Sequence, residues 1–183
     1  MILGLDVSTS CTGWCVLHSN GTLIEMGYVP LEKLQETFKK AERVGNKLLE
    51  LIIDYPLSEI VIEENLQAFR PGLSSARTLM TLARFNGIVS YMCYDKLKIE
   101  PTHINVNMAR KSVGLKINRK SDATTKQQVL DWVSLQLEDV GYQWPVKILK
   151  SGPRKGMEVL QPGCYDMADS YVIAKANLIL NKR

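Results

Sequence analysis

Four acidic residues stand where a carboxylate is costly. Asp6 closes the apolar run Ile2–Leu5 and precedes Val7-Ser8-Thr9-Ser10, small and hydroxylated residues that let a ligand approach the backbone. Glu63 closes a second short apolar run, Glu59-Ile60-Val61-Ile62-Glu63. Asp166 and Asp169 are one helical turn apart and so share a helix face. A carboxylate at a buried strand end needs something positive beside it, and no Arg or Lys stands out as an internal partner, so the set points to divalent cations. In-line hydrolysis of a phosphodiester has the matching demand. The attacking water must lose a proton while the leaving oxygen gains charge, and two Mg²⁺ ions about 3.5–4 Å apart, bound by oxygen ligands, meet both needs. Each acid alone also has a plainer explanation: Asp6 caps a turn, Glu63 and Glu64 form a solvated strand exit, and Asp166 and Asp169 complement a helix dipole.

Hydrophobic periodicity supplies the elements that must position these acids. The first thirty residues alternate apolar and polar around Thr12-Gly13 and Asn20-Gly21, which predicts a three-stranded meander over Ile2–Val7, Gly13–Leu17 and Leu23–Val29. Leu31, Leu34, Phe38, Ala41, Gly45, Leu48 and Ile52 then recur at helical spacing up to Tyr55-Pro56. A buried strand at 59–63 is expected beside the first strand. A helix over 73–96, a strand over Ile99–Val106, a short helix near 108–113 and a helix carrying Val129, Trp132, Val133 and Leu137 follow, with Asp122 or Thr124 as its cap. Pro145, Pro153 and Pro162 interrupt the rhythm in a basic insertion at about 140–163, expected to be a flexible segment or a hairpin, and a last helix runs from Cys164 to about Leu180. The order predicts a single α/β domain over 1–183: a mixed five-stranded sheet, three antiparallel strands then two parallel, with helices on both faces.

Composition narrows the function classes. The chain has 183 residues, 45% hydrophobic and 23% charged, and a net charge of +4, which excludes a disordered polyelectrolyte and permits a nucleic-acid partner. Cys11, Cys15, Cys93 and Cys164 lack paired metal spacing, and His18 and His103 are the only histidines, so reduced thiols are favoured over zinc. No basic and apolar leader and no run of about eighteen apolar residues is seen, so the expected location is the cytoplasm. Arg70, Arg77, Arg84, Lys111, Lys116, Arg119 and Lys120 are candidate phosphate contacts, with Lys116-Ile117-Asn118-Arg119-Lys120 in a Gly-flanked loop. Phe69, in the loop after the Glu63 strand, is the best stacking candidate.

Three stretches together carry a family resemblance. Ile2-Leu3-Gly4-Leu5-Asp6-Val7-Ser8-Thr9-Ser10-Cys11-Thr12-Gly13-Trp14-Cys15-Val16-Leu17, Val61-Ile62-Glu63 and Tyr165-Asp166-Met167-Ala168-Asp169-Ser170-Tyr171-Val172-Ile173-Ala174 resemble, in order and spacing, the acidic motifs of RuvC-like Holliday-junction resolvases. The resemblance implies a ribonuclease H-like fold, a homodimer, Mg²⁺ or Mn²⁺ held by Asp6, Glu63, Asp166 and Asp169, and symmetrical nicking of four-way DNA junctions. Lys111 and Lys126 match positions where the family has functional lysines, and Lys126 is thereby a candidate catalytic residue. The family's aromatic wedge falls at Leu66 here, with Phe69 three residues on. The longer stretch between Lys126 and Asp166 fits a divergent, phage-type member, which would act in the host cytoplasm. Two other readings share the first motif or the fold. A nucleotide-binding phosphotransfer protein needs a second lobe, for which 183 residues leave no room. A non-catalytic branched-DNA-binding module has no use for four acids that repel phosphates.

Overall fold

The computed structural model describes residues 1–64 and 75–181. Five strands form the main sheet: β1 (Ile2–Val7), β2 (Cys11–Leu17), β3 (Leu23–Pro30), β4 (Glu59–Glu63) and β5 (Thr102–Ile104). Their order is β3-β2-β1-β4-β5. The β1–β2 and β2–β3 pairs are antiparallel, and the β1–β4 and β4–β5 pairs are parallel. This is the mixed sheet expected from the sequence. Helices α1 (Thr37–Asp54) and α2 (Ala76–Leu97) cover one face, and α3 (Val106–Ser112), α4 (Thr125–Gln136) and α5 (Cys164–Leu180) cover the other. A separate hairpin, β6 (Val146–Ile148) and β7 (Glu158–Leu160), lies within the 140–163 insertion.

Strand alternation decides which side chains meet which helices. Leu3, Leu5 and Val7 of β1, Trp14 and Val16 of β2, and Ile60 and Ile62 of β4 pack with Leu48 of α1 and Phe85 and Val89 of α2. The intervening positions, Ile2, Cys15, Leu17 and Val61, pack with Ala168, Val172 and Ile173 of α5. Period two therefore places Gly4 and Asp6 of β1, and Glu63 of β4, on the face that α5 covers.

Helix α5 can lie against that face because two sheet positions lack a side chain. A Cβ on Gly4 would sit 2.4 Å from the Ser170 carbonyl oxygen, and one on Gly13 would sit 2.0 Å from that of Asp166. Close approach fixes the helix along β1 and β2, and burial on all sides matches its composition: Met167, Ala168, Tyr171, Val172, Ile173, Ala174 and Ala176 are all buried. Each large apolar side chain so enclosed contributes about 1.5–3 kcal/mol.

Several boundaries differ from the sequence expectation, α1 and β5 most of all. Helix α1 starts at Thr37 rather than 31, because residues 31–36 form a turn: Leu31 is fully buried, its N–H donates to the Ser10 carbonyl and its carbonyl accepts from Leu34. Strand β5 is short because Pro101 precedes it and Asn105 leaves the strand to cap α3, accepting from the Asn107 N–H at 3.0 Å. Thr124, one of the two candidate caps, accepts from Gln127 N at 3.2 Å and begins α4. Among the described residues no helix is long and apolar enough to cross a membrane.

Candidate active site

Asp6 and Glu63 lie side by side, one residue beyond the last paired positions of β1 and β4, Leu5 and Ile62. The strand end under Glu63 is fixed from behind: the buried Asn86 of α2 donates to the Glu63 carbonyl at 3.0 Å, and Ser90 in turn donates to Asn86. Asp166 is in the first turn of α5, and Asp169 is one turn deeper and buried.

The protonation behaviour of these groups reports their proximity. Burial, then the carboxylates of Glu63, Asp169 and Asp166, push Asp6 well above the ordinary carboxylate range, with Lys126 opposing. Glu63 is pushed up to about 7 by burial and Asp169, against the pull of Arg110 and Lys126. Asp169 is raised by burial although Arg110 beside it favours the charged form. Mutual repulsion among like charges, added to desolvation, is the signature of acids gathered into one pocket.

Two cations face the four acids. Arg110 Nη2 lies 3.2 Å from Asp169 Oδ1, and Lys126 Nζ lies 3.4 Å from Asp166 Oδ1. The absence of an internal basic partner, expected from the sequence, is therefore incorrect. Arg110 is not among the candidates named from the sequence, although position 110 falls on the helical stripe with Val106 and Val113, next to the buried Ala109, and so faces inward. The Lys126 side chain is 59% exposed. Burial would lower its affinity for the proton, but Asp166, Asp6 and Asp169 more than reverse this and raise it.

The plainer explanations of the acids fare unequally. The turn after β1 is capped by Ser8, whose hydroxyl donates to the Cys11 carbonyl at 2.7 Å and accepts from the Cys11 N–H at 3.2 Å, so Asp6 has no capping duty there. Glu63 is half-buried, and that burial is the first cause of its raised pKa, so it is not a freely solvated strand exit. Helix-dipole stabilisation applies to Asp166 and not to Asp169, which lies beyond the first turn.

Donor chemistry and charge fit a hard divalent cation: four carboxylates meet two basic side chains, and neither Asp6 nor Glu63 has a cation within 4.0 Å among the described residues. As the side chains stand, no group of three or more Asp, Glu, His or Cys among the described residues is drawn close enough to hold a metal ion. Asp169 and Asp166 are directed to Arg110 and Lys126 instead. The cysteines are free thiols, three of them buried.

Of the candidate DNA contacts, Lys111, Lys116 and Arg119 line a single groove of about 270 Å³ together with Arg110. Lys120 is exposed in the same loop, where its N–H donates to Asn118 Oδ1 at 3.0 Å. Arg77 is exposed in the first turn of α2, behind the Ser75 cap. Phe69 and Arg70, with the Leu66 position, lie outside the described residues.

Sheet order and helix placement define the chain as α/β with a ribonuclease H-like fold. That fold is shared, over 99% of this chain, with solved Holliday-junction resolvases. They are Thermus thermophilus RuvC in complex with Holliday junction substrate (TM-score 0.65, 14% identity, 94% of that chain covered), Thermus thermophilus RuvC (0.62, 16%, 95%) and the yeast mitochondrial Holliday junction resolvase Ydc2 (0.56, 15%, 78%). No protein-family model matches the sequence, and no curated protein matches it.

Proposed function

We propose that the chain is a metal-dependent endonuclease that resolves four-way and other branched DNA by paired, symmetrical nicks, a crossover-junction endodeoxyribonuclease. The observation that supports this reading is the placement of Asp6 and Glu63 at adjoining strand ends on the face that α5 covers, where α5 carries Asp166 and Asp169 and the four charges repel one another, on a sheet folded like that of RuvC.

In this reading the four carboxylates hold two Mg²⁺ or Mn²⁺ ions, which when bound supply an activated water and neutralise charge on the leaving oxygen. Release of Asp169 from Arg110 and of Asp166 from Lys126 frees both acids as ligands. Lys126, on an exposed helix start beside Asp166, is a cation available to the developing phosphate charge. Arg110 keeps one face of the pocket positive, and the groove it shares with Lys111, Lys116 and Arg119 takes the backbone of an approaching DNA arm, with Lys120, Arg77, Phe69 and Arg70 as further contacts.

Paired incision needs two sites facing opposite strands, which a two-fold dimer supplies. Helix α2 offers a face for a second copy, since Met80, Tyr91 and Tyr94 are exposed along one side of it at 68%, 65% and 57%. The rival with a nucleotide cofactor finds no support in this site, whose groups are acids rather than a phosphate-binding loop. A non-catalytic DNA-binding module would gain nothing from mutually repelling acids of this kind.

The test is a cleavage panel with purified protein and Mg²⁺: a four-way junction, a flap, a splayed duplex and a linear duplex. Paired cuts in the junction, with linear DNA spared, are expected. Binding of the junction without incision would favour the non-catalytic module, and ATP turnover would favour the phosphotransfer protein.

A further inference from the structure

A cavity beside the acids is one that the nuclease reading leaves unused. It has a volume of about 620 Å³ and shares Asp166 and Lys126 with the acid pocket. Its wall also includes Lys33 of the β3–α1 turn, Arg43 of α1 and Lys147 of β6. Four cations thus line it against two carboxylates, Glu32 and Asp166. None of Lys33, Arg43 and Lys147 forms an ion pair among the described residues.

Two aromatic rings in the wall are held in place. The Tyr28 hydroxyl donates to Gln161 Oε1, and the Tyr165 hydroxyl donates to Gln127 Oε1 at 3.0 Å. Gly163 lets the turn before α5 close on the Tyr28 ring, where a Cβ would lie 2.2 Å from Cγ. The hairpin that delivers Lys147 is anchored rather than loose at its base: Gln161 N–H donates to the Pro145 carbonyl at 2.9 Å and Trp144 Nε1 to Ser134 Oγ at 2.9 Å. Uncompensated cations, fixed aromatic rings and a volume suited to a small ligand describe a nucleotide-sized receptor.

We propose that this cavity receives the nucleotide next to the scissile phosphate on the cleaved strand, the phosphates on either side of it held by Lys33, Arg43 and Lys147 and its base set against Tyr28 and Tyr165. The inference rests on the nuclease reading and deepens it. It gives the 140–163 insertion a task, since Lys147 reaches the cavity only because the β6–β7 hairpin is present. A strand running from the acids into the cavity passes Asp166 and Lys126, the residues common to both.

The experiment compares the wild-type chain with the double variant Lys33→Ala/Lys147→Ala, and with Lys96→Ala/Lys98→Ala, which removes the same charge from exposed sites at the C-terminal end of α2, an element that does not line the cavity. Junction affinity is measured in EDTA between 50 and 200 mM salt, and 2-aminopurine is placed in turn at the nucleotides flanking the cut. Two lost phosphate contacts flatten the salt dependence by about 1.8 in log–log slope, so across this range the variant loses about tenfold less affinity than the wild type. A fluorescence change at one flanking nucleotide in the wild type, absent in the cavity variant and kept in the control, is expected. A salt slope and fluorescence equal to those of the control variant would overturn the cavity assignment while leaving the nuclease reading intact. A wild-type chain that neither binds nor cuts branched DNA would instead remove the nuclease reading itself. If a deoxynucleoside triphosphate raised the melting temperature of the wild type but not of the cavity variant, with unchanged DNA salt slopes, the cavity would belong to a free nucleotide and the inference would fall.

Discussion

Replacing Gly13 with alanine sets a methyl carbon 2.0 Å from the Asp166 carbonyl oxygen and 2.3 Å from its carbon. Cβ atoms essentially never approach closer than 3.0 Å, so a displacement of at least 3.0 − 2.0 = 1.0 Å is required. Both partners are backbone, and no rotamer change relieves the clash. Strand β2 is paired on both edges, to β1 and β3, so the first turn of α5 is the element that gives way. That turn carries Asp166. Overpacking of this sort costs about 1–3 kcal/mol of stability, and a misplacement of about 1 Å at a reacting centre costs on the order of 100-fold in rate. Gly13→Ala is therefore expected to fold with a lowered melting temperature, to bind a four-way junction nearly as well as the wild type, and to cut it about 100-fold more slowly under single-turnover conditions in Mg²⁺. Wild-type cleavage by a folded Gly13→Ala protein would refute the reasoning, since either the helix turn is not held by this contact or the position of Asp166 does not matter to the chemistry.

Other consequences follow from the charges around the acids. Arg110→Leu leaves Asp169 buried without its partner and is expected to lower stability by about 3 kcal/mol in urea unfolding, with Asp169→Asn in the same chain restoring part of it; a neutral Arg110→Leu would contradict the pairing. Glu63, at about 7 in the folded chain against an ordinary 4.5, keeps a proton that the unfolded chain releases. Stability in EDTA is thus expected to fall as pH rises from about 4.5 to about 7, by at most about 3 kcal/mol. Mg²⁺ should restore more at pH 8 than at pH 5, and a melting temperature that climbs with pH in EDTA would be inconsistent with this. Lys126→Ala is expected to slow cleavage more than it weakens junction binding, whereas a loss confined to affinity would make Lys126 a phosphate contact only.

Elements with strong periodicity were legible in the sequence, and elements defined by tertiary contacts were not. The bounds of α5 follow from a dense apolar run that starts after Pro162-Gly163, and β1 and β4 follow from short apolar runs ending in an acid. Strand alternation is enough to put Asp6 and Glu63 on one face. It does not say which helix covers that face, and the reason α5 does so lies in Gly4 and Gly13, whose spacing has meaning only once the helix is in place. Arg110 shows a different limit. A seven-residue helix gives too little periodicity to separate an inward Arg110 from an outward Lys111. The groove of Lys111, Lys116 and Arg119 depends on how the 113–119 loop folds back on α3, which residue pattern does not encode. The β6–β7 hairpin was only half legible, because three-residue exposed strands carry no alternation, although Gly152 and Gly156 adopt the positive φ of +80° and +88° that its turn requires.

The most direct test of the pocket of acids is the incision rate of Asp6→Asn on a four-way junction in Mg²⁺, measured beside its junction affinity. Burial and then the carboxylates of Glu63, Asp169 and Asp166 raise Asp6 well above the ordinary carboxylate range, and the amide keeps its size while removing its charge. Loss of incision with affinity at or above that of the wild type is predicted. Cutting at the wild-type rate would contradict the assignment of the four carboxylates as the site of strand cleavage.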